Sequence, residues 1–532
     1  MRSFLIIIFI YTTLYSQINI NYQRNFGGNL DDHNAVILES PNDNGFYMLN
    51  YTNSTTGELP SLFGSYDIWL IKLDDNYQIV WQKSYGGVGY DIATDMIIIN
   101  DNIYIVGESE LDGTGNITVD SYGETDTWLL ALDLDGNILW QKNYGGENFE
   151  FRQKISTLQN GNLIISCLSD SDSSGNKTTS RIYGNEEIWL IEVDINNGSI
   201  IQEKGVIYID WVGKEYNFHH DTIRHRLFLS YNFADNVIIG DKTTESNGQT
   251  DVWVLVLDEQ LNKLYDKNYG GIESEFVLCS FLFDEEYTYL LTSSNSDVSG
   301  NKTTPIYGSQ SLFNYDIWLI KLDNDLNIVE QKSYGSFDSD KGHQIVKGKW
   351  GNFSILGISS GGINGIKTQD SFGENDSWLL ILDQNLNVLT QGIFGGSLGE
   401  GNSKLILNDN GDVILYIKTE SDISGNKTTP FLGGYSDIWL IELETSELLR
   451  FNTILDNYSN KAFPNPFNNQ IQIDVPTDIS EIYLKIVNIE GQIIYEQSNY
   501  KGEIIQVEGN SQIYFYEIKT KSGLINGKLV KL

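Results

Sequence analysis

Cysteine is nearly absent from this 532-residue chain: the two present, Cys167 and Cys279, fall on different strands of repeats that lie two apart. A disulfide needs Cα atoms within about 7 Å, so two buried thiols are expected instead of a bridge. Proline is scarce too, with seven residues against 12% aromatics, which suits a strand-rich globular protein and not a disordered one. Positive charge is the third shortage. The 34 Lys and Arg face 72 Asp and Glu, a formal net charge of −38. Binding a polyanion needs a basic surface, which weighs against nucleic acid and anionic lipid as partners. Beyond the N-terminus no apolar run reaches the roughly 20 residues of a membrane span.

What the chain has in abundance is one short strand, written seven times. It reads DIWLIKLD at Asp67–Asp74, DTWLLALD at Asp126–Asp133, EIWLIEVD at Glu187–Asp194 and DVWVLVLD at Asp251–Asp258. It returns as DIWLIKLD at Asp316–Asp323, DSWLLILD at Asp376–Asp383 and DIWLIELE at Asp437–Glu444. Its tryptophans are Trp69, Trp128, Trp189, Trp253, Trp318, Trp378 and Trp439, spaced 59 to 65 residues apart. Apolar residues on consecutive positions mark a strand covered on both faces. Stacked blades of a β-propeller bury their middle strands in that way. The repeat count is then the blade count.

Each repeat divides into four strands. In the second, Tyr90–Asn100, Ile103–Ser109, the Trp128 strand and Ile138–Tyr144 are separated by Asp-Asn, polar-loop and Asp-Gly-Asn connections. The fourth strand ends in an aromatic-Gly-Gly step at Tyr85, Tyr144, Tyr269 and Phe394, where glycine is expected to supply a positive φ between blades. Tyr334-Gly335 is a partial copy, and the third repeat lacks the step. A further fourth-strand pattern, INYQRNFGG at Ile20–Gly28, precedes the first full repeat, while the seventh repeat lacks a good fourth strand. The N-terminal segment is therefore expected to complete the last blade, which removes exposed sheet edges.

The ends of the chain carry export signals. Arg2 followed by the apolar Phe4–Leu14 reads as a signal peptide over residues 1–16, with Gln17 as the mature N-terminus. Residues 17–455 are assigned to the propeller, 456–463 to a linker and 464–532 to a small β-sandwich of immunoglobulin-like kind. Residues 461–532 hold seven Lys against eight Asp and Glu, so nearly all the negative charge lies in the propeller. Phe463-Pro464-Asn465-Pro466 opens this tail, Asn488-Ile489-Glu490-Gly491 lies in its middle, and Gly527-Lys528-Leu529-Val530-Lys531 ends it. On these motifs the tail resembles the type A C-terminal sorting domain of the type IX secretion system of Bacteroidota. Ser511-Gln512-Ile513-Tyr514 stands where that family usually has a Gly-Ile-Tyr or Gly-Val-Tyr step. The resemblance implies export across the outer membrane, the secretion machinery as partner, and release or attachment at the cell surface. The repeats resemble the seven-bladed propeller repeats of secreted proteins from the same bacteria, which implies the fold and no particular activity.

Candidate sites are few. The Asp-x-Trp positions recur in every blade, and Asp there is expected to order the loop entering the strand while Trp fills the space between blades. The oxygen-rich loops Asp172–Thr178, Asp297–Thr303 and Asp422–Thr428 lack the alternating carboxylates of a calcium loop and read as turns. His219, His220, Asp221 and His225 cluster at the first hairpin of the fourth repeat, without further ligands to suggest zinc. Ala131–Trp140 resembles the tryptophan-docking repeat of pyrroloquinoline-quinone dehydrogenases, but only Trp81 repeats its tryptophan and the adjacent cysteine pair is missing, so no cofactor is expected. No catalytic constellation stands out. The expectation is a monomeric, secreted or surface binding module for polysaccharide or protein. The alternatives are a polysaccharide-active enzyme with its site in the central funnel, which an isolated acidic pair at glycosidase spacing would mark, and a structural coat component.

Overall fold

The computed structural model describes residues 18–531, except 111–112, 182–185, 208–215, 235–237, 239, 309–313, 446–461, 464–466, 474, 476–481, 489–491, 508–512 and 521–522. Seven four-stranded antiparallel sheets form a β-propeller, and no helix occurs among the described residues. In every blade the chain-order first strand is innermost, and the seven first strands touch one another around the axis. They are Asp32–Glu39, Asp91–Ile99, Glu150–Thr157, Tyr216–Asp221, Glu275–Phe283, Asp340–Lys347 and Glu400–Leu407. The expected signal peptide and the region of the missing step in the third repeat (208–215) lie outside the described residues.

The repeated strand is the third in each blade, and Trp69, Trp128, Trp189, Trp253, Trp318, Trp378 and Trp439 are all fully buried. The reason is visible in the core. The apolar interior of the propeller is split into seven clusters, one at each blade junction, and each contains one of these tryptophans. The indole N–H also has a fixed acceptor on the neighbouring fourth strand: Gln82, Gln141, Glu203, Asp266, Gln331, Gln391 and Gln23, at 2.9–3.2 Å. A buried indole needs that partner.

The seventh blade takes its outer strand from the other end of the chain. Asn19–Phe26 runs antiparallel to Asp437–Glu444, from Phe26 opposite Ile438 to Asn19 opposite Glu444. The C-terminal part is a three-stranded and a four-stranded sheet around their own core of Phe467, Ile471, Leu484, Ile486, Tyr514 and Leu529.

Cys167 is a buried free thiol on the second strand of blade three, paired across the sheet with Trp189. The side chain of Cys279 lies outside the described residues.

Candidate functional site

Six of the seven junctions are built around glycine and two carboxylates. The Asp that opens the repeated strand accepts a backbone N–H from the loop before it, four residues back in four blades, as Tyr122 to Asp126 at 2.7 Å and Phe63 to Asp67 at 2.5 Å, and from Tyr307 to Asp316 and Leu432 to Asp437 in two others. Its other oxygen faces the acid that begins the next blade, which itself accepts the N–H four residues back (Gly87 to Asp91, 2.7 Å; Gly146 to Glu150, 3.1 Å). The pairs are Asp67 with Asp91, Asp126 with Glu150, Asp251 with Glu275, Asp316 with Asp340, Asp376 with Glu400 and, across the ring closure, Asp437 with Asp32. The first glycine of the aromatic-Gly-Gly step lies between them. A Cβ on Gly145 would collide with Asp126 Oδ1 and Glu150 Oε2, and one on Gly86 with Asp67 and Asp91. The expected positive φ is found only at Gly27, so clearance for carboxylates, not backbone hand, is what requires glycine at the other steps. The signal for the second acid was present in the sequence as an Asp or Glu four residues after the step.

Two buried carboxylates at one glycine do not both ionise easily. Burial pushes Glu150 up to about 7, with Asp126 adding to the shift. Burial likewise raises Asp437 to about 7, Asp316 and Glu275 to about 8, and Asp32 to about 6. The inner oxygens of Asp126, Asp316 and Asp376 have no hydrogen-bond partner, which a proton shared with the facing acid would supply. Raised carboxyl pKa values favour the folded state below the ordinary carboxylate range, and that contribution is lost as pH rises through about 6 to 8. The melting temperature is therefore expected to fall between pH 5 and pH 8.5. Asp126→Asn should donate to Glu150 and raise the melting temperature by about 2 °C at pH 8.5 while leaving it unchanged at pH 5, read by calorimetry. A gain of equal size at both pH values would remove proton sharing as the cause.

The Ser-Gly-Asn-Lys loops are staples between blades. Asn176, Asn301 and Asn426 each accept the N–H of the first glycine in the preceding blade (Gly145, Gly270, Gly395) at 3.0 Å. The lysine that follows is buried, and its ammonium donates to a loop carbonyl: Lys177 to Thr179, Lys302 to Thr304, Lys427 to Thr429, at 2.6–2.7 Å. Burial lowers Lys302 and Lys427 to about 8, while the nearby carboxylates pull the other way.

Symmetry breaks between blades three and four. Tyr216 stands where the next blade should offer an acid, and Glu187, one methylene longer than the usual Asp, meets Lys177 at 2.7 Å. The histidine cluster lies on the same blade. His220 and His225 converge on Glu259 at 3.0 and 3.4 Å, and Ser156 Oγ of blade three lies 3.1 Å from His220 Nδ1. His219 points the other way, edge-on to Phe281, and Asp221 is paired with Arg224 and Arg226. Among the described residues no three His, Cys, Asp or Glu form a metal-holding group.

A cavity of about 910 Å³ at one end of the propeller axis is lined by the inner strands of blades one, two, three, four and seven. Tyr51, Tyr90, Glu108, Phe149 and Arg152 surround its mouth, and Lys154 and Lys404 of two inner strands line it further. Arg152 has φ +59°, in a bulge of the inner strand of blade three. Its backbone is clamped on both sides: the N–H donates to Glu108 at 2.9 Å and the carbonyl accepts from Tyr216 at 2.9 Å. Burial raises Glu108 above the usual carboxylate range, against the pull of that N–H and the Arg152 charge. Tyr51 is pushed up to about 12, first by burial and then by Glu108. An aromatic run leads to the mouth: His33 stacks on Tyr51 at 4.7 Å, Tyr51 meets Tyr66 edge-on at 6.0 Å, and Tyr66 stacks on Tyr90 at 5.8 Å. The repeat pattern hid this site, since the residue types at its positions change from blade to blade.

Residues 461–532 match the family model of the secretion system C-terminal sorting domain. The tail is a type IX sorting domain. It implies a Bacteroidota origin and export of the propeller to the cell surface or the extracellular space. Pro464, Asn465, Pro466 and Gly491 of the sorting domain lie outside the described residues. The Gly527–Lys531 motif belongs to its last strand, where Gly527 pairs with Tyr516, Lys528 with Phe515 and Leu529 with Tyr514; Val530 accepts the N–H of Phe467 at 2.8 Å, and Lys531 bridges to Phe467.

No curated protein matches the chain in sequence. Among solved structures the chain is similar to the polysaccharide lyase Uly1 (10% identity, 79% of this chain and 91% of that one, TM-score 0.43). It is also similar to a PL25 ulvan lyase bound to -[GlcA(1-4)Rha3S]- (9%, 80% and 99%, TM-score 0.42) and to BamB from Moraxella catarrhalis (11%, 79% and 99%, TM-score 0.35).

Proposed function

We propose that the propeller is an extracellular binding module that takes a polysaccharide chain into the axial cavity, with the mature protein beginning at Gln17. Arg152 carries this reading. A long side chain held at positive φ is costly, by about 1–3 kcal/mol, and persists where its surroundings over-determine it, as they do at binding sites. Here the strain holds a guanidinium beside a tyrosine, a carboxylate and aromatic faces in a cavity lined by both polar and apolar residues. The carboxylate pairs are ruled out as a glycosidase pair because they repeat from junction to junction and are enclosed.

The test is a glycan-array screen of the full mature chain, followed by titration of any hit and analysis for cleavage products. Tyr51→Ala and Arg152→Ala are each expected to weaken binding about tenfold with unchanged circular dichroism. Unchanged affinity in both variants would sink the axial site. Release of oligosaccharides would favour the enzyme reading, in which Glu108 is the titratable group at the cavity mouth.

A further inference from the structure

The inner strands invert the charge of the molecule. The chain holds 72 acids to 34 bases, yet between their end residues the seven inner strands carry Arg152, Lys154, Lys341 and Lys404 against the single acid Asp95. These residues are brought together from blades two, three, six and seven. Lys154 and Lys404 line the axial cavity with Arg152. Lys404 lies close enough to Lys154, and His343 to Lys404 and Lys341, for each to suppress the next one's protonation. Several of the positions are bulges, where one strand carries an extra residue and turns its side chain aside: Arg152 and His343 both sit in such breaks of register.

The cluster is also incompletely satisfied. Among the described residues neither Lys154 nor Lys404 makes an ion pair with a carboxylate. Asp95, the one acid at hand, already accepts the backbone N–H of Ile155 at 3.1 Å and that of Met96 at 3.0 Å. The enclosed Nε2 of His343 has no hydrogen-bond partner. Burial together with the neighbouring lysines lowers Lys404 to about 8 and His343 to about 3. The three acids that also line the cavity, Glu108, Glu110 and Asp170, belong to second strands and the loops after them, one strand outward from the lysines. Like charges gathered with unused donors in a low-dielectric channel are stabilised by an anion.

We infer that the axial cavity selects a polysaccharide bearing anionic groups, sulfate or carboxylate, and seats one such group against Lys154 and Lys404. The inference deepens the binding-module proposal and depends on it. The net charge of −38 repels polyanions from the outer surface, so recognition is confined to a chain that enters the channel.

The experiment compares three polymers against the full mature protein at 150 mM salt: dextran sulfate, polygalacturonate and uncharged dextran. Binding is expected for one or both polyanions and not for dextran, falling as salt is raised because counterions held by the polyanion are released on binding. The polymer that binds identifies sulfate or carboxylate as the group. Lys404→Met and Lys154→Met, which keep the length of the side chain, are each expected to weaken it about tenfold or more. Lys349→Met, an exposed lysine bonded to the Asp409 carbonyl, makes the same charge change and is expected to have no effect. Melting temperatures of the three variants separate loss of binding from loss of fold. Binding of neither polyanion, equal binding of dextran, or equal losses from Lys349→Met and Lys404→Met would each overturn the inference. A neutral glycan that binds through Tyr51 and is indifferent to Lys404→Met would overturn it while leaving the axial binding site standing.

Discussion

Deleting residues 18–28 from the mature chain is expected to turn a soluble protein into one that aggregates, with the melting temperature of any soluble remainder lowered by more than about 10 °C. The segment is the outer strand of blade seven, and three kinds of contact are lost together. Its ladder to Asp437–Glu444 goes. Gln23 no longer accepts from Trp439 at 3.2 Å and Thr428 at 2.9 Å, which strands a buried indole N–H. Phe26, buried in the seam between blades seven and one, leaves a gap beside Trp69 and Ile438. Burying a phenylalanine is worth about 2–3 kcal/mol and each lost hydrogen bond about 1 kcal/mol, so the sum approaches the whole stability of a typical domain. The new edge is the repeated strand itself, apolar on both faces, which invites pairing between molecules. Size-exclusion chromatography and a thermal melt decide the matter. A peptide of residues 18–30 added in trans should restore part of the lost solubility. A monomeric deletion variant with an unchanged melt would mean that the ring is held by the other six junctions alone.

The second large effect concerns destination. Removing residues 461–532 is expected to abolish appearance of the propeller at the cell surface or in the medium and to leave it in the periplasm, as read by fractionation and protease accessibility. The tail has its own core and its own two sheets. It carries almost none of the charge of the propeller, so its recognition does not require the propeller. Fusion of residues 461–532 to an unrelated periplasmic protein is accordingly expected to export it. Surface display of the truncated propeller would place the export signal elsewhere in the chain.

The contrast between these two regions and the axial site shows what is readable from sequence. The third strands announce themselves because each is a local, eight-residue pattern repeated about every 60 residues, and a doubly buried strand has to be apolar at consecutive positions. The acid pairs were half legible. Asp67 and its equivalents are part of the repeated strand, and their partners follow the glycine step at a constant interval, but only packing shows that the two meet over one glycine, where burial raises their pKa values. The same packing corrected the role of that glycine, from turning the chain to making room.

What the sequence by itself determined is therefore whatever repeats or is contiguous: seven blades, buried tryptophans, a sorting tail. The tertiary structure alone decided the site. Lys154 and Lys404 are separated by 250 residues, and although both stand four residues after the acid that opens their blade, no other blade has lysine there. They become neighbours because a closed ring brings every inner strand to one axis. Two lysines far apart in the chain are there brought together inside a strongly negative protein.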